Sequence, residues 1–250
     1  MATTALSAEV SCMEQFRAAM PASVRNTETA DRLLTIGQYR HLNQGEELPS
    51  NAREDRLVFI GTGVTKITAQ FAATPLAPSP SPTTKVVSKT QILAFHFPGD
   101  IVSVLSEIDG GFRLVALQDA ELVVFFADQF LDVAQTDPLV IRSVIANSIQ
   151  ALHASRTRMM QLGHKCAGKR IAEFLTSMAQ RMCGCTTGPC EFALPMSRRD
   201  IADSVGLTIE TVSRQFAELK EQGLIETQGR SIVRVNDLDA LAHGGGCTPG

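Results

Sequence analysis

The 250-residue chain has no apolar run long enough to cross a lipid bilayer. Its longest run, around residues 122–127, is far shorter than the roughly 20 apolar residues that a membrane helix needs. The first residues, MATTALSAEVSCMEQF, also lack the basic start and apolar centre of a secretion signal. We therefore expect a cytoplasmic protein without a membrane partner. With 44% hydrophobic residues, the chain should bury a core and divide into two domains.

The chain also lacks an excess of positive charge, since its formal net charge is -3. Nonspecific affinity for nucleic acid grows with the number of cationic contacts, so the total charge argues weakly against such a partner. The distribution matters more. Residues 1–133 carry 10 Lys and Arg against 15 Asp and Glu, whereas residues 134–250 carry 13 against 11. A basic surface is therefore expected only in the C-terminal half.

Catalytic motifs are missing as well. No paired-carboxylate motif, nucleophile elbow or phosphate loop stands in the required context, so we do not expect an enzyme, although catalysis by the N-terminal domain stays the least favoured alternative. Six cysteines in an intracellular chain of this length favour reduced thiols over a disulfide scaffold. No metal site is predicted, because the spacing in CGCTTGPC matches no standard pattern. The weaker candidates for a metal or redox site are Cys183, Cys185 and Cys190, completed by Cys166.

Three runs rich in Val, Ile, Phe and Thr predict β-strands between residues 57 and 125: LVFIGTGVTKIT, VVSKTQILAFHF and FRLVALQDAELVVF. Clusters of Gly, Pro and Asp separate these runs, which is typical of a barrel or roll. A short helix is predicted over residues 28–38. The proline-rich segment ATPLAPSPSPTT, residues 73–84, is interpreted as an exposed hairpin loop.

After Asp137-Pro138 the period changes to alternating steps of four and three, which predicts a long helix that pairs with a second helix. The polar residues between these positions leave a narrow apolar stripe. Such a stripe favours a dimer over the alternative, a helix lying on its own sheet. The predicted dimer seam comprises Ile141, Ile145, Leu152, Met159 and Leu162.

The segment LPMSRRDIADSVGLTIETVSRQFAELKEQGLIETQGRSIVRV predicts a helix-turn-helix. Ser197 and Asp200 have the spacing of a capping box, which starts the first helix at Arg198. Gly206 supplies the left-handed conformation of a tight turn, and Thr208 can cap the second helix.

On the second helix an apolar stripe faces inward, formed by Val212, Phe216 and Leu219. Glu210, Ser213 and Arg214 then share an outward polar face near the start of that helix, which is the end that enters the major groove in this motif. Arg214 can donate twice to guanine, Glu210 can accept from cytosine N4, and Ser213 is adaptable. The alternative is an ordinary exposed helix surface with charged pairs.

The sequence after Gly223 predicts a hairpin with its turn at Gly229. This hairpin is the wing of a winged helix-turn-helix. Contacts to DNA phosphates position a protein without specifying a sequence. The candidates for such contacts are Lys165, Lys169, Arg198, Arg199, Thr208, Thr211 and Arg230.

The sequence resembles the Crp/Fnr superfamily, and SRRDIADSVGLTIETVSRQFAELKEQGLI is especially similar to its Fnr and FixK branch. The resemblance covers most of the chain and includes FPGD at residues 97–100. It implies an α+β fold with a cyclic-nucleotide-binding-like β-roll over residues 1–133, a dimerisation helix over 134–164 and a winged helix-turn-helix domain over 165–250. It also implies a homodimeric regulator that binds double-stranded DNA, contacts RNA polymerase and activates more often than it represses. By resemblance, Glu210, Ser213 and Arg214 would read a TTGAT-N4-ATCAA palindrome.

The ligand sites of the family are not matched. Cyclic-nucleotide members carry Gly-Glu and later Arg followed by Ser or Thr, whereas here Ser106 precedes Glu107 and Leu114 follows Arg113, so cyclic AMP is not expected. An Fnr-type iron-sulfur cluster is not expected either, because only Cys12 precedes Cys166. Haem is left open for the N-terminal domain. The alternative to an effector-free regulator is a sensor of the same fold that uses haem and nitric oxide, or cysteine-based redox or metal chemistry.

Overall fold

The computed structural model describes residues 2–49, 54–71, 89–106 and 112–244. The chain divides into two compact units, residues 1–148 and residues 149–250. The hairpin loop expected over residues 73–84 lies outside the described residues. Among the described helices, none has the length and apolar character needed to span a membrane.

The first unit is built from an antiparallel roll and the helices that flank it. Its elements are α1 (Ala2–Ala19), α2 (Glu28–Ile36), β1 (Gln38–Leu42), β2 (Arg56–Thr62), β3 (Thr65–Phe71), β4 (Lys89–His96), β5 (Ile101–Val104), β6 (Phe112–Ala116), β7 (Ala120–Phe126), α3 (Ala127–Ala134) and the start of α4 (Pro138–His164). The three β-rich runs of the sequence supply β2, β3, β4, β6 and β7, and α2 falls in the predicted helix.

The strands form two antiparallel sheets, with orders β1-β7-β2-β5 and β4-β3-β6. Apolar side chains fill the interior of the roll, including the fully buried Val58, Ile60, Leu114 and Leu122. Strands β2 and β7 are buried over most of their length, so their richness in β-branched and aromatic residues, and not an alternating pattern, marked them in the sequence.

Helix α1 was not predicted from the sequence, and it packs on the outside of the first sheet. The ring of Phe16 lies 5.3 Å from that of Phe59 and 4.8 Å from that of Phe125, measured between centroids. Cys12 and Phe16 are one helical turn apart and both are buried, so a period of four was present in the sequence as a signal for this helix.

Helix α4 is 27 residues long and begins at Pro138, where a proline fits the first helical turn. Of the predicted seam residues, Ile145 and Leu152 are exposed and Ile141 is half-buried. Ile149, which the predicted seam omitted, is also exposed. The side chains of Met159 and Leu162 lie outside the described part of the structure.

The second unit contains the end of α4 and the predicted winged helix-turn-helix. Its further elements are α5 (Ala167–Cys183), β8 (Cys190–Ala193), α6 (Arg198–Val205), α7 (Ile209–Glu221), β9 (Ile225–Gln228), β10 (Ile232–Val235) and α8 (Leu238–Gly244). The predicted hairpin is β9 and β10, and Gly229 has the positive φ of 63° that its turn requires.

A third strand, β8, extends this hairpin to a sheet of order β8-β10-β9. The sequence analysis predicted no strand in this part of the chain, yet Cys190 begins β8 and pairs with Val235. A strand of four residues is too short to show a period, and only its pairing with β10 identifies it.

Candidate nucleic-acid interface

The first helix of the helix-turn-helix begins with the predicted capping box. The Asp200 backbone N–H donates to Ser197 Oγ at 3.2 Å, and the Ser197 backbone N–H donates to Asp200 Oδ2 at 2.9 Å. Two N–H groups that would lack partners at the helix start are thereby satisfied. Gly206 ends α6 at φ 66°, which sets the tight turn before α7.

Helix α7 is held against α6 by its apolar stripe. Val212, Phe216 and Leu219 are at most 4% exposed, and Ile201 and Ala202 of α6 are buried too. At the start of α7, the Thr211 backbone N–H donates to Thr208 Oγ1 at 3.2 Å, so Thr208 is the N-cap that the sequence predicts. Cap and stripe together set which side of α7 faces solvent.

Glu210, Ser213 and Arg214 are all exposed, on the side of α7 opposite its buried stripe. The Arg214 side chain is 68% exposed, and its Nε lies 3.7 Å from Glu218 Oε1, a loose pair one turn further along. The carboxylate of Glu210 accepts a hydrogen bond from its own backbone N–H and from Thr208, and these bonds lower the pKa of Glu210 below its usual value. Glu210 is thus a charged acceptor at neutral pH, as a contact to cytosine N4 requires.

The candidate phosphate contacts differ in their exposure and in whether they already have a partner within the chain. Arg199, Thr208 and Arg230 are exposed, and Thr211 is half-buried beside Thr208. Lys165 Nζ lies 2.5 Å from Glu173 Oε1, and Lys169 Nζ donates to the backbone carbonyl of Ala242. These two lysines are half-buried and have intramolecular partners.

Arg198 is the candidate whose position departs most from the sequence expectation. Its guanidinium carbon lies 3.2 Å from the centroid of the Phe216 ring, and its Nη1 is buried without a hydrogen-bond partner among the described residues. Burial lowers the pKa of Arg198 to about 10, which leaves it protonated at neutral pH. Arg198 therefore contributes to the packing of α6 on α7, and its contact to phosphate stays a prediction.

Arg170 of α5 was not singled out from the sequence, yet it supports the turn. Its Nη1 donates to the backbone carbonyls of Val205 at 3.2 Å and Gly206 at 3.4 Å, and its Nε donates to that of Lys165 at 3.0 Å. A cation at the C-terminal end of α6 is favourable because the carbonyls there lack partners within the helix. Nothing in the local sequence signals this contact, since 35 residues separate Arg170 from Val205.

The wing is fastened to the end of α7. Asn236 Nδ2 donates to the Gly223 carbonyl at 2.8 Å, and the Asn236 backbone N–H donates to the Leu224 carbonyl at 3.1 Å. Gly223 has a φ of 70°, which closes α7 and turns the chain into β9. The exposed face formed by Glu210, Ser213 and Arg214, called the reading face below, and the exposed Arg230 of the wing turn are thus parts of one packed unit.

In the first unit, Ser106 and Arg113, the two residues that depart from the cyclic-nucleotide pattern, both contact carboxylates. The Ser106 backbone N–H and hydroxyl both donate to Asp55 Oδ1, at 2.7 and 2.8 Å. Arg113 Nη1 lies 3.2 Å from Glu47 Oε2. Glu107 lies outside the described residues.

The cysteines fall into two chemical states. Cys12, Cys183, Cys185 and Cys190 are free thiols, whereas Cys166 is disulfide-bonded. Cys166, the residue expected to complete the weaker candidate metal site, therefore has no thiolate to offer as a fourth ligand. In the described residues, no three side chains of Cys, His, Asp or Glu are placed to hold a metal ion.

A β-roll unit and a capped, winged helix-turn-helix unit define the class of two-domain DNA-binding regulators. The family model described as Crp-like helix-turn-helix domain matches residues 169–243. The transcriptional activator protein FnrL of Cereibacter sphaeroides is 32% identical over 162 residues, which are 63% of this chain and 65% of that protein. The nitrogen fixation regulation protein FixK of Rhizobium meliloti is 30% identical over 153 residues, 61% of this chain and 67% of that protein.

The alignments thus span about two thirds of these relatives' lengths. The solved structure of FixK2 from Bradyrhizobium japonicum matches with a TM-score of 0.66 and 26% identity, over 86% of this chain and 100% of FixK2. The chain belongs to the Crp/Fnr superfamily of transcription regulators, in its FixK-like branch.

Proposed function

We propose that the chain is a cytoplasmic, homodimeric transcription activator that reads a TTGAT-N4-ATCAA-like palindrome and contacts RNA polymerase. The observation that carries the proposal is the exposed triplet of Glu210, Ser213 and Arg214 on α7, opposite the buried stripe. Activation is inferred from relatives such as FnrL, which is named as a transcriptional activator.

Two side chains of the triplet, Arg214 and Glu210, have a chemical counterpart in the half-site. Arg214 presents two parallel N–H groups that match O6 and N7 of guanine in the major groove. Glu210 accepts from the exocyclic amine of cytosine, a role that justifies a carboxylate close to phosphates. Thr208 and Arg199 lie near the start of their helices, where backbone N–H groups also favour a phosphate.

A palindrome requires two copies of α7, and α4 offers a surface for dimerisation. Ile145, Ile149 and Leu152 recur at steps of four and three and are 50–53% exposed. Residues at this spacing share one side of a helix, so they form an apolar stripe open to solvent. A palindrome with half-sites one helical turn apart would require the two reading helices of such a dimer to lie about 34 Å apart.

Selection of bound sites from random double-stranded DNA by the full-length protein tests this proposal. We expect enrichment of TTGAT half-sites in inverted orientation with a four-base spacer. Arg214→Ala should cost about 1–3 kcal/mol per half-site and relax the preference at one base pair, the usual worth of a good bidentate contact.

The matched control is Lys220→Ala. Lys220 lies in the last turn of the same helix and is exposed, so its loss removes the same charge away from the reading face. It should weaken binding to all sequences alike, if at all, and leave the site preference intact. An Arg214→Ala profile identical to that of the unsubstituted protein would refute the assigned reading face.

We also propose that DNA binding needs neither cyclic AMP nor an Fnr-type iron-sulfur cluster. Ser106 and Arg113 depart from the cyclic-nucleotide pattern, and both are paired with carboxylates, Ser106 with Asp55 and Arg113 with Glu47. Burial, and then the nearby Glu121, raise the pKa of Cys12 to about 12, which disfavours the thiolate that a cluster needs. DNA affinity should be unchanged by cyclic AMP and by chelators, and a tenfold gain with cyclic AMP would overturn this part.

A further inference from the structure

Three free thiols gather where α5 passes into β8. Cys183 is the last residue of α5, Gly184 follows in the left-handed conformation at φ 68°, and Cys190 is the first residue of β8. Between them the chain reverses through a turn that contains Gly188 at φ 71°. This reversal brings Cys185 back toward Cys190, although five positions separate them.

Hydrogen bonds arrange the three sulfurs differently. Cys183 Sγ donates to the Glu191 carbonyl at 3.3 Å, which holds that sulfur against the second residue of strand β8. Cys185 Sγ lies 3.8 Å from the Cys183 carbonyl, and its side chain is hydrogen-bonded to the Cys190 thiol. Cys185 thus lies beside the Cys183 carbonyl and near the Cys190 thiol, and both Cys185 and Cys190 are only partly buried, within reach of a small solute.

We propose that Cys185 and Cys190 are a redox modification site, which a peroxide converts to an intramolecular disulfide and a thiol reductant restores. The site lies on the DNA-binding unit, since β8 pairs with β10 of the wing sheet. The chemistry itself is independent of the proposed DNA function.

The reaction begins at Cys185. Burial, and then the nearby Cys185 and Cys183, raise the pKa of Cys190 to about 11, and burial also raises that of Cys183, so both are poor first nucleophiles at neutral pH. The Cys185 thiolate attacks one peroxide oxygen, the O–O bond breaks, and Cys185 becomes a sulfenic acid while a protonated leaving oxygen departs as water.

Cys190 then resolves the sulfenic acid. Oxidation of Cys185 removes the negative charge that opposed ionisation of Cys190, so the second thiolate forms more readily. Its sulfur attacks the sulfenic sulfur, the S–O bond breaks, and the oxygen leaves as a second water. Two thiols and one hydrogen peroxide thus yield one disulfide and two waters.

Differential alkylation of the full-length protein tests the site, because one tryptic peptide, residues 182–198, contains all three cysteines. After treatment with hydrogen peroxide and an acid quench, free thiols are alkylated in denaturant with one reagent. Disulfides are then reduced and labelled with a second reagent, and fragmentation of the peptide assigns each label. We expect the second label on Cys185 and Cys190 and the first on Cys183.

Three serine variants serve as matched controls. Cys185→Ser and Cys190→Ser should each lose the second label at the remaining partner, whereas Cys183→Ser should keep the Cys185–Cys190 bridge. The second label on Cys183, a link between two chains, or full labelling by the first reagent after peroxide would each overturn the proposal. Since DNA binding is not the readout, failure of the proposed DNA function would leave this result interpretable.

Discussion

The guanidinium carbon of Arg198 lies 3.2 Å from the centroid of the Phe216 ring. The contact joins the first residue of α6 to the buried stripe of α7, so it sets the two helices of the helix-turn-helix against each other. A cation over an aromatic face is attracted by the ring quadrupole, and more strongly when it is desolvated. Arg198 thereby acts on the reading face through Phe216.

Arg198→Met should lower the free energy of unfolding by about 1 kcal/mol, because it keeps an apolar side chain over the ring but removes the charge. Release of the buried, unpaired Nη1 offsets part of the loss. Urea denaturation of the full-length protein measures the change. Arg199→Met is the control, since Arg199 occupies the same end of α6 but is exposed. Equal stability of the two variants would contradict a stabilising contact to Phe216.

Loss of the capping box should destabilise the second unit without touching the reading face. Ser197→Ala removes the acceptor for the Asp200 N–H and should cost about 1 kcal/mol of unfolding free energy. Ser213→Ala is the control, because Ser213 is exposed on α7 and caps nothing in the described structure. Thermal unfolding followed by circular dichroism compares the melting temperatures of the two variants. A Ser197→Ala protein with the same melting temperature as the unsubstituted protein would contradict a stabilising cap.

A charge on the α4 stripe should separate the proposed dimer. Ile149 is 51% exposed, and burying such a side chain is worth about 1.5–3 kcal/mol, so Ile149→Asp should raise the dimer dissociation constant at least tenfold. Leu131→Asp places the same charge at an exposed leucine of α3 and should leave the dimer intact. Sedimentation velocity over a concentration series reports both. If the Ile149→Asp protein remained dimeric, α4 would not be the dimer interface.

The titration of Glu210 should depend on Thr208. Because hydrogen bonds from its own N–H and from Thr208 favour the charged form, the pKa of Glu210 is lowered in the folded state. The associated stability is present above the ordinary pKa of 4.5 and is lost as the pH falls through the lower folded pKa. Thr208→Ala should raise the pKa of Glu210 toward 4.5, without restoring it fully, as followed by carboxyl NMR. Ser213→Ala is the control, because Ser213 is exposed on the same helix and is not among the groups that lower the pKa of Glu210. An unchanged pKa of Glu210 in Thr208→Ala would exclude the hydrogen bond from Thr208.

The elements that could be read from the sequence are those whose signals are local. Ser197 and Asp200 are three residues apart, and the stripe of Val212, Phe216 and Leu219 fits within two turns. The outward position of Arg214 follows from that stripe by helix geometry alone. Strand β8 escaped prediction because its four residues become a strand only by pairing with β10, whereas α1 was missed although Cys12 and Phe16 carry a helical period.

By itself, the sequence determined the capped helices, the turn at Gly206 and the polar triplet on α7, since hydrogen bonds and periodicity among near neighbours specify them. Tertiary structure alone decided that Arg198 covers Phe216, that Arg170 holds the carbonyl of Val205, and that Cys185 meets Cys190. Such contacts form only when folding brings separate parts of the backbone together. Loop closure and packing between elements produce no periodic pattern in the sequence, so the sequence does not predict them.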